Sequence, residues 1–151
     1  MPSHQISNFV SNEKINTERG KAIAFVGRLS PEKDPESFAR ATKNLPGNFK
    51  CNVYGDGPLR QRLAERYSHL TYFGLVDMSK HWKEIGLLCI SSQHEGLPLV
   101  ALEAMARGIP VVSYKVGALP ELIEHTKTGW LVSRNDEKGL TNAIQKWRDL
   151  S

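Results

Sequence analysis

The sequence predicts an α/β fold, a doubly wound parallel sheet of six strands. Two observations carry that prediction. Short apolar runs recur at residues 22–27, 49–55, 70–74, 87–92, 109–114 and 129–132, the lengths expected of buried strands. Between them lie segments with helical spacing and helix punctuation, and strand–helix alternation of this kind favours parallel pairing.

Each element has a local reason. The run "AIAFVG" (22–27) ends on glycine, as a buried strand entering a loop would. Asp34 is placed to N-cap a helix with Pro35 at its first position, running to about Leu45 before Pro46-Gly47-Asn48 breaks it. "FKCNVYG" (49–55) is the second strand. Asp56-Gly57-Pro58 then turns into a helix whose Leu59, Leu63 and Tyr67 share one face. "LTYFG" (70–74) is the third strand, and Asp77 is suited to cap a short helix, "MSKHWKEI". "LLCISS" (87–92) is the fourth. The helix that follows has Pro98 in its first turn and Gly108 just past its end, leading to the fifth strand, "IPVVSY" (109–114). A short helix at 119–124, the strand "GWLV" (129–132) and a helix from about Asp136 to Leu150 complete the series.

The 151 residues correspond to about one domain, with residues 21–151 forming it and the polar residues 1–20 reading as a lead-in or linker. Hydrophobic and charged fractions of 40% and 24% are those of a soluble globular protein. A formal charge of +4 suits an anionic small ligand and falls short of a nucleic-acid-binding excess. No apolar run reaches the roughly 18 residues of a membrane span, and Met1–Gln5 lacks the start of an export signal. Cys51 and Cys89 sit in strand-like runs, as free buried thiols of a reducing compartment would. These features together indicate a cytoplasmic location. The five histidines show no paired metal spacing, and no Asp-x-Asp clamp for a divalent ion is present.

Ligands of doubly wound sheets bind beyond the carboxyl ends of the strands, which directs attention to three loops. The loop after the fourth strand, Ser91-Ser92-Gln93-His94-Glu95-Gly96, enters a helix whose first turn offers unpaired N–H groups and a positive dipole end. Glu95 and Glu103 are eight residues apart, about 12 Å if both lie along a helix axis and roughly 80° apart around it. That span matches the distance from the ribose to the hexose of a nucleotide-diphosphate sugar, and a carboxylate accepts two hydroxyls of a diol at once. Glu103 is surrounded by Val100, Ala101, Leu102, Ala104, Met105 and Ala106. The residues alone leave two readings of it, a ligand contact or the solvated point of the helix. For Glu95 the alternative is a carboxylate favoured by the helix dipole. Arg28 and Lys33 in "VGRLSPEKD" (26–34) follow the first strand and would supply two positive charges to a departing diphosphate, or else are ordinary surface charges. In "GDGPLR" (55–60) the third glycine of a dinucleotide fingerprint is missing, so a tight turn accounts for it.

Taken together, "VGRLSPEKD", "VYGDGPLR", "YFGLV", "SSQHEGLPLVALEAMARGIPVV" and "GALPELIEHTKTGWLV" resemble the nucleotide-sugar-binding half of GT-B glycosyltransferases, specifically the family-four (group one) retaining enzymes. The resemblance spans about residues 21–149, and the E-x7-E pair of Glu95 and Glu103 is its hallmark. The patch "ISNFV" (6–10) also resembles that family's crossover into this domain. The resemblance implies a Rossmann-like domain, one half of a GT-B fold, serving a hexosyltransferase of polysaccharide biosynthesis. It implies that Glu103 holds the ribose hydroxyls and Glu95 those of the transferred sugar. Arg28 and Lys33 would bind the diphosphate, Gly96 and Leu97 would offer backbone N–H groups, Leu99 would pack near the nucleoside, and Leu75 and Val76 would border the base. It further implies metal-independent catalysis with no cofactor besides the nucleotide-sugar donor. The partner implied is an N-terminal acceptor-binding domain, in the same chain or a separate subunit, through which peripheral membrane association would occur. Without that half the chain would bind donor with little or no turnover. Three other readings compete: a GT-B-like epimerase, a non-catalytic nucleotide-sugar-binding subunit, and an NAD-dependent Rossmann enzyme. The last is disfavoured by the single glycine in "FVGRLSPEKD".

Overall fold

The computed structural model describes residues 20–45, 48–95, 98–123 and 128–150. Its six strands are β1 (Ala22–Val26), β2 (Cys51–Tyr54), β3 (Leu70–Gly74), β4 (Ile85–Ile90), β5 (Val111–Tyr114) and β6 (Gly129–Val132). All pair in parallel, in the order β3-β2-β1-β4-β5-β6. This is the doubly wound, Rossmann-like arrangement that the sequence predicts. The order reverses between β1 and β4, and a crevice for ligands opens at such a switch point.

Among the described residues five α-helices accompany the sheet: α1 (Pro35–Lys43), α2 (Arg60–Arg66), α3 (Leu99–Ala106), α4 (Leu119–Leu122) and α5 (Glu137–Leu150). Helix α3 lies over β4 and β5, while α5 lies over β5 and β6 and packs against α1. Every residue of β4 and β5 is buried, so helices cover the sheet centre on both faces. Cys51 and Cys89 are free and buried in this core, and burial pushes the Cys51 thiol up to about 11.

Asp34 caps α1 as its sequence position predicts. Its Oδ1 accepts the Ser37 N–H at 3.2 Å and its Oδ2 accepts the Ser37 hydroxyl at 2.7 Å, a cap of the kind worth about 1 kcal/mol. The backbone there is left-handed, with φ 48°, which is uncommon for any residue but glycine. The helix then buries Phe38, Ala41 and Thr42. At the other end of the chain, Asp136 Oδ1 accepts the Gly139 N–H at 2.9 Å and starts α5.

Some boundaries differ from the sequence reading. "MSKHWKEI" is two 3-10 turns, Met78–Lys80 and Trp82–Glu84, rather than one helix. Asp77 does cap the first, accepting the Ser79 N–H at 3.1 Å. The break at His81 follows from tertiary demands: Trp82 is buried, and the Glu84 carboxylate is drawn to the Tyr54 hydroxyl at 2.8 Å and to His81 Nδ1 at 3.0 Å. Strand β4 begins at Ile85, two residues early, because Ile85 pairs with Ala22 and Gly86 passes the Gly20 backbone where a Cβ would collide. Helix α4 ends at Leu122. The lead-in of residues 1–19, including the 6–10 patch, lies outside the described residues.

Candidate donor-binding site

The loops beyond β1 and β2 run together past the end of the sheet. Gly27 N–H donates to the Tyr54 carbonyl at 3.0 Å, Leu29 N–H to the Asp56 carbonyl at 3.0 Å, and Leu59 N–H to the Leu29 carbonyl at 2.9 Å. Gly55 allows this approach: its φ is 143°, and a Cβ there would overlap the Gly27 carbonyl. The resulting surface holds two adjoining clefts. The larger, about 670 Å³, is bordered by Arg28, the Gly55–Pro58 turn, Leu75, Val76 and Met78. The smaller, about 250 Å³, lies over the β1/β4 switch point and is bordered by Lys33, Ser92, Glu95, Leu99 and Val100. Val26 and Gly27 belong to both.

Lys33 and Glu95, 62 residues apart in sequence, meet in the smaller cleft with Nζ 3.2 Å from Oε2. The carboxylate is nearly buried at 8% exposure, whereas the lysine remains 35% exposed. A buried carboxylate with one cation at the open side of a cleft is chemically poised to exchange partners, since the lysine can turn to an entering anion. Gly117 fixes the backbone behind Glu95. Its φ is 54°, it stands against the Glu95 carbonyl with no room for a Cβ, and the next residue, Ala118, donates to that carbonyl at 3.4 Å.

The other expected residues are distributed unevenly. Arg28 is exposed at the larger cleft, beside Leu75 and Val76, so the two cations border adjoining spaces rather than one. Leu99 borders the smaller cleft and is 58% exposed. Gly96 and Leu97 lie outside the described residues. Helix α3 begins at Leu99, with Pro98 at its N-cap, so Glu95 precedes the helix and a spacing counted along the helix axis does not apply to it. Nor is α3 short of solvent face. Its buried residues are Ala101 and Ala104, and Leu99, Leu102 and Glu103 are exposed. Glu103 borders neither cleft; it stands one turn beyond Leu99 on the same face.

Three features escape a sequence reading. The "GDGP" turn is a cleft wall as well as a turn. Tyr54, beneath that wall, stacks on Phe73 with centroids 4.6 Å apart, accepts from Asn52 Nδ2 at 2.8 Å and donates to Glu84. Burial first, and Glu84 second, hold the Tyr54 phenol above its ordinary range. Gln93 ties the loop after β4 to two distant segments through its side chain. Among the described residues, no group of three or more His, Cys, Asp and Glu gathers where it could hold a metal ion.

Comparison with known proteins decides the family. The family model for glycosyl transferases group 1 matches residues 20–149. The chain belongs to the group 1 glycosyl transferases. A 57-residue stretch is 39% identical to a Campylobacter jejuni enzyme named as an alpha-1,4-N-acetyl-D-galactosaminyltransferase acting on GalNAc-alpha-(1->4)-GalNAc-alpha-(1->3)-diNAcBac-PP-undecaprenol, covering 35% of this chain and 16% of that protein. Anabaena HepE, solved in complex with UDP, is 23% identical with a TM-score of 0.77, over 94% of this chain and 43% of that one. Sucrose-phosphate synthase from Thermosynechococcus elongatus is 26% identical with a TM-score of 0.76, over 92% and 39%. This glycosyltransferase chain thus spans less than half the length of each of these three relatives, and its fold is the Rossmann-like half of a GT-B architecture.

Proposed function

We propose that this chain is the donor-binding half of a retaining glycosyltransferase, which moves a hexosyl group from a nucleotide-diphosphate sugar to a glycan or lipid-linked acceptor. The observation that carries the proposal is the meeting of Lys33 and Glu95 at the switch point of a group 1 glycosyltransferase domain. In this reading the donor lies along both clefts. Its base sits near Leu75 and Val76, its diphosphate is held by Arg28 and Lys33, and its ribose hydroxyls reach out of the smaller cleft past Leu99 to Glu103, one turn further along α3. Glu95, released by Lys33, accepts hydroxyls of the transferred sugar, and Leu99 packs against the nucleoside. As the glycosidic bond breaks, negative charge grows on the departing diphosphate, and the two cations stabilise it there without a metal ion. The expected roles of Gly96 and Leu97 as backbone donors belong to the same proposal.

Acceptor binding falls to a second domain, in the same polypeptide or a separate subunit, that faces these clefts and associates with the membrane surface. The undecaprenol-linked acceptor in the name of the Campylobacter relative supports a lipid-linked acceptor and a role in cytoplasmic polysaccharide assembly. The deciding experiment is calorimetric titration of UDP, GDP and ADP into the chain and into Glu103→Ala. One nucleotide is expected to bind, and the substitution to weaken it about tenfold or more. Equal affinity of the variant would remove Glu103 from the site. Absence of binding by all three would remove the donor-site reading for this chain.

A further inference from the structure

Besides the Lys33–Glu95 pair itself, the Gln93 side chain joins the loop carrying Lys33 to the loop carrying Glu95. Gln93 Nε2 donates to Asp34 Oδ2 at 2.8 Å and to Asn135 Oδ1 at 2.8 Å, while Arg134 Nε donates to Gln93 Oε1 at 3.4 Å. The carboxylate fixes the amide orientation, because an ionised carboxylate only accepts. The main chain repeats the link, with the Gln93 N–H donating to the Glu32 carbonyl at 2.9 Å, and a second side chain adds to it, the Ser91 hydroxyl donating to the Asp34 carbonyl at 2.7 Å.

Asp34 and Asn135, the two residues that share the Gln93 amide, are also the only non-glycine residues with positive φ among the described residues, at 48° and 65°. Such conformations are strained for a residue with a side chain and persist only where the surroundings over-determine them. At Asp34 the surroundings are Ser37, the Ser91 hydroxyl and Gln93, and among the described residues Gln93 alone joins Asp34 to Asn135. Lys33 immediately precedes Asp34, so whatever fixes the Asp34 backbone fixes the point from which the lysine ammonium swings. Gln93 stands two residues before Glu95, the lysine's partner.

We propose that Gln93 is a positioning residue for anion binding: by clasping Asp34 and Asn135 it holds Lys33 where its ammonium meets both Glu95 and an entering diphosphate. The inference rests on the donor-site reading above, and its test separates the two. Whichever of UDP, GDP and ADP binds is titrated against its own nucleoside into wild type, Lys33→Ala, Gln93→Leu, Gln93→Asn and the Lys33→Ala/Gln93→Leu double variant. Circular dichroism establishes that each is folded. Gln93→Leu and the shorter Gln93→Asn are expected to bind the diphosphate about tenfold more weakly with nucleoside affinity unchanged. On the Lys33→Ala background, Gln93→Leu is expected to change diphosphate affinity less than about twofold, because its effect passes through the lysine. Full diphosphate affinity in both Gln93 variants overturns the proposal and leaves the donor site standing. Equal weakening of nucleoside and diphosphate, or an additive loss on the Lys33→Ala background, also overturns it by making Gln93 merely structural. A wild type that binds no diphosphate better than its nucleoside overturns both readings together.

Discussion

At the scale of single residues, Lys33 and Glu95 are unequal partners. Removing the lysine strands a carboxylate that water hardly reaches, whereas removing the charge of Glu95 leaves a lysine that is already partly solvated. Lys33→Met should therefore destabilise the fold by about 1–2 kcal/mol in urea unfolding, less than a fully buried pair would lose. Glu95→Gln should leave stability within about 0.5 kcal/mol while weakening binding of a nucleotide sugar more than of the bare nucleotide. His69 offers a pH signature. Its Nε2 lies 2.9 Å from the Thr42 hydroxyl, whose own proton goes to the Phe38 carbonyl at 2.7 Å, so the ring nitrogen donates. Burial, aided by the nearby Lys43 charge and opposed by a hydrogen bond with the Ala39 backbone, holds this imidazole below its ordinary 6.5. The unfolded chain thus binds a proton that the folded chain refuses. Stability from this group is present in full above about pH 6.5 and is lost as the pH falls toward the lower folded value. Between pH 7 and 5, His69→Gln should lose less stability than wild type in parallel thermal melts.

At the scale of elements, the site depends on glycines that let loops touch. Gly55→Ala would push a methyl group into the Gly27 carbonyl and force the walls of the larger cleft apart. Strain and lost loop bonding should cost at least about 2 kcal/mol of stability, measured by denaturant titration. The same elements show why some of the site was legible in the sequence and some was not. Apolar runs ending on glycine gave β1, β2 and β3 away, and Asp34 before Pro35 announced α1, because these signals are local. Helix α3 is apolar almost all round, with no polar stripe to say which side faces inward, so the exposure of Glu103 could not be deduced from it. The 3-10 break at His81 was hidden because its cause, the pull of Tyr54 on Glu84, comes from 30 residues away. Gln93 was silent for the same reason: its partners lie 59 and 42 residues distant.

At the scale of the whole molecule, the alternation of elements predicted the parallel sheet, and only the strand order, with its reversal between β1 and β4, needed coordinates. A ligand that binds only the folded chain adds RT ln(1 + [L]/Kd), about 2.7 kcal/mol at one hundred times Kd. The preferred nucleotide should therefore raise the melting temperature with the logarithm of its concentration once that exceeds Kd, and Lys33→Ala should flatten that rise. The fold is also closed by its own last helix. Arg40 Nε donates to Glu137 at 2.7 Å across 97 residues, and the Thr141 hydroxyl donates to the Ala41 carbonyl at 2.9 Å across 100. These contacts have a consequence in time. During synthesis β1 leaves the ribosome before the other strands of this sheet, but Asn135, which completes the clasp around Asp34, emerges only after the six described strands. A nascent chain halted before that point has its sheet residues but lacks the Asn135 partner that closes the Gln93 clasp. On the proposed function, competence to hold the donor is thus one of the last properties this domain acquires as it is made.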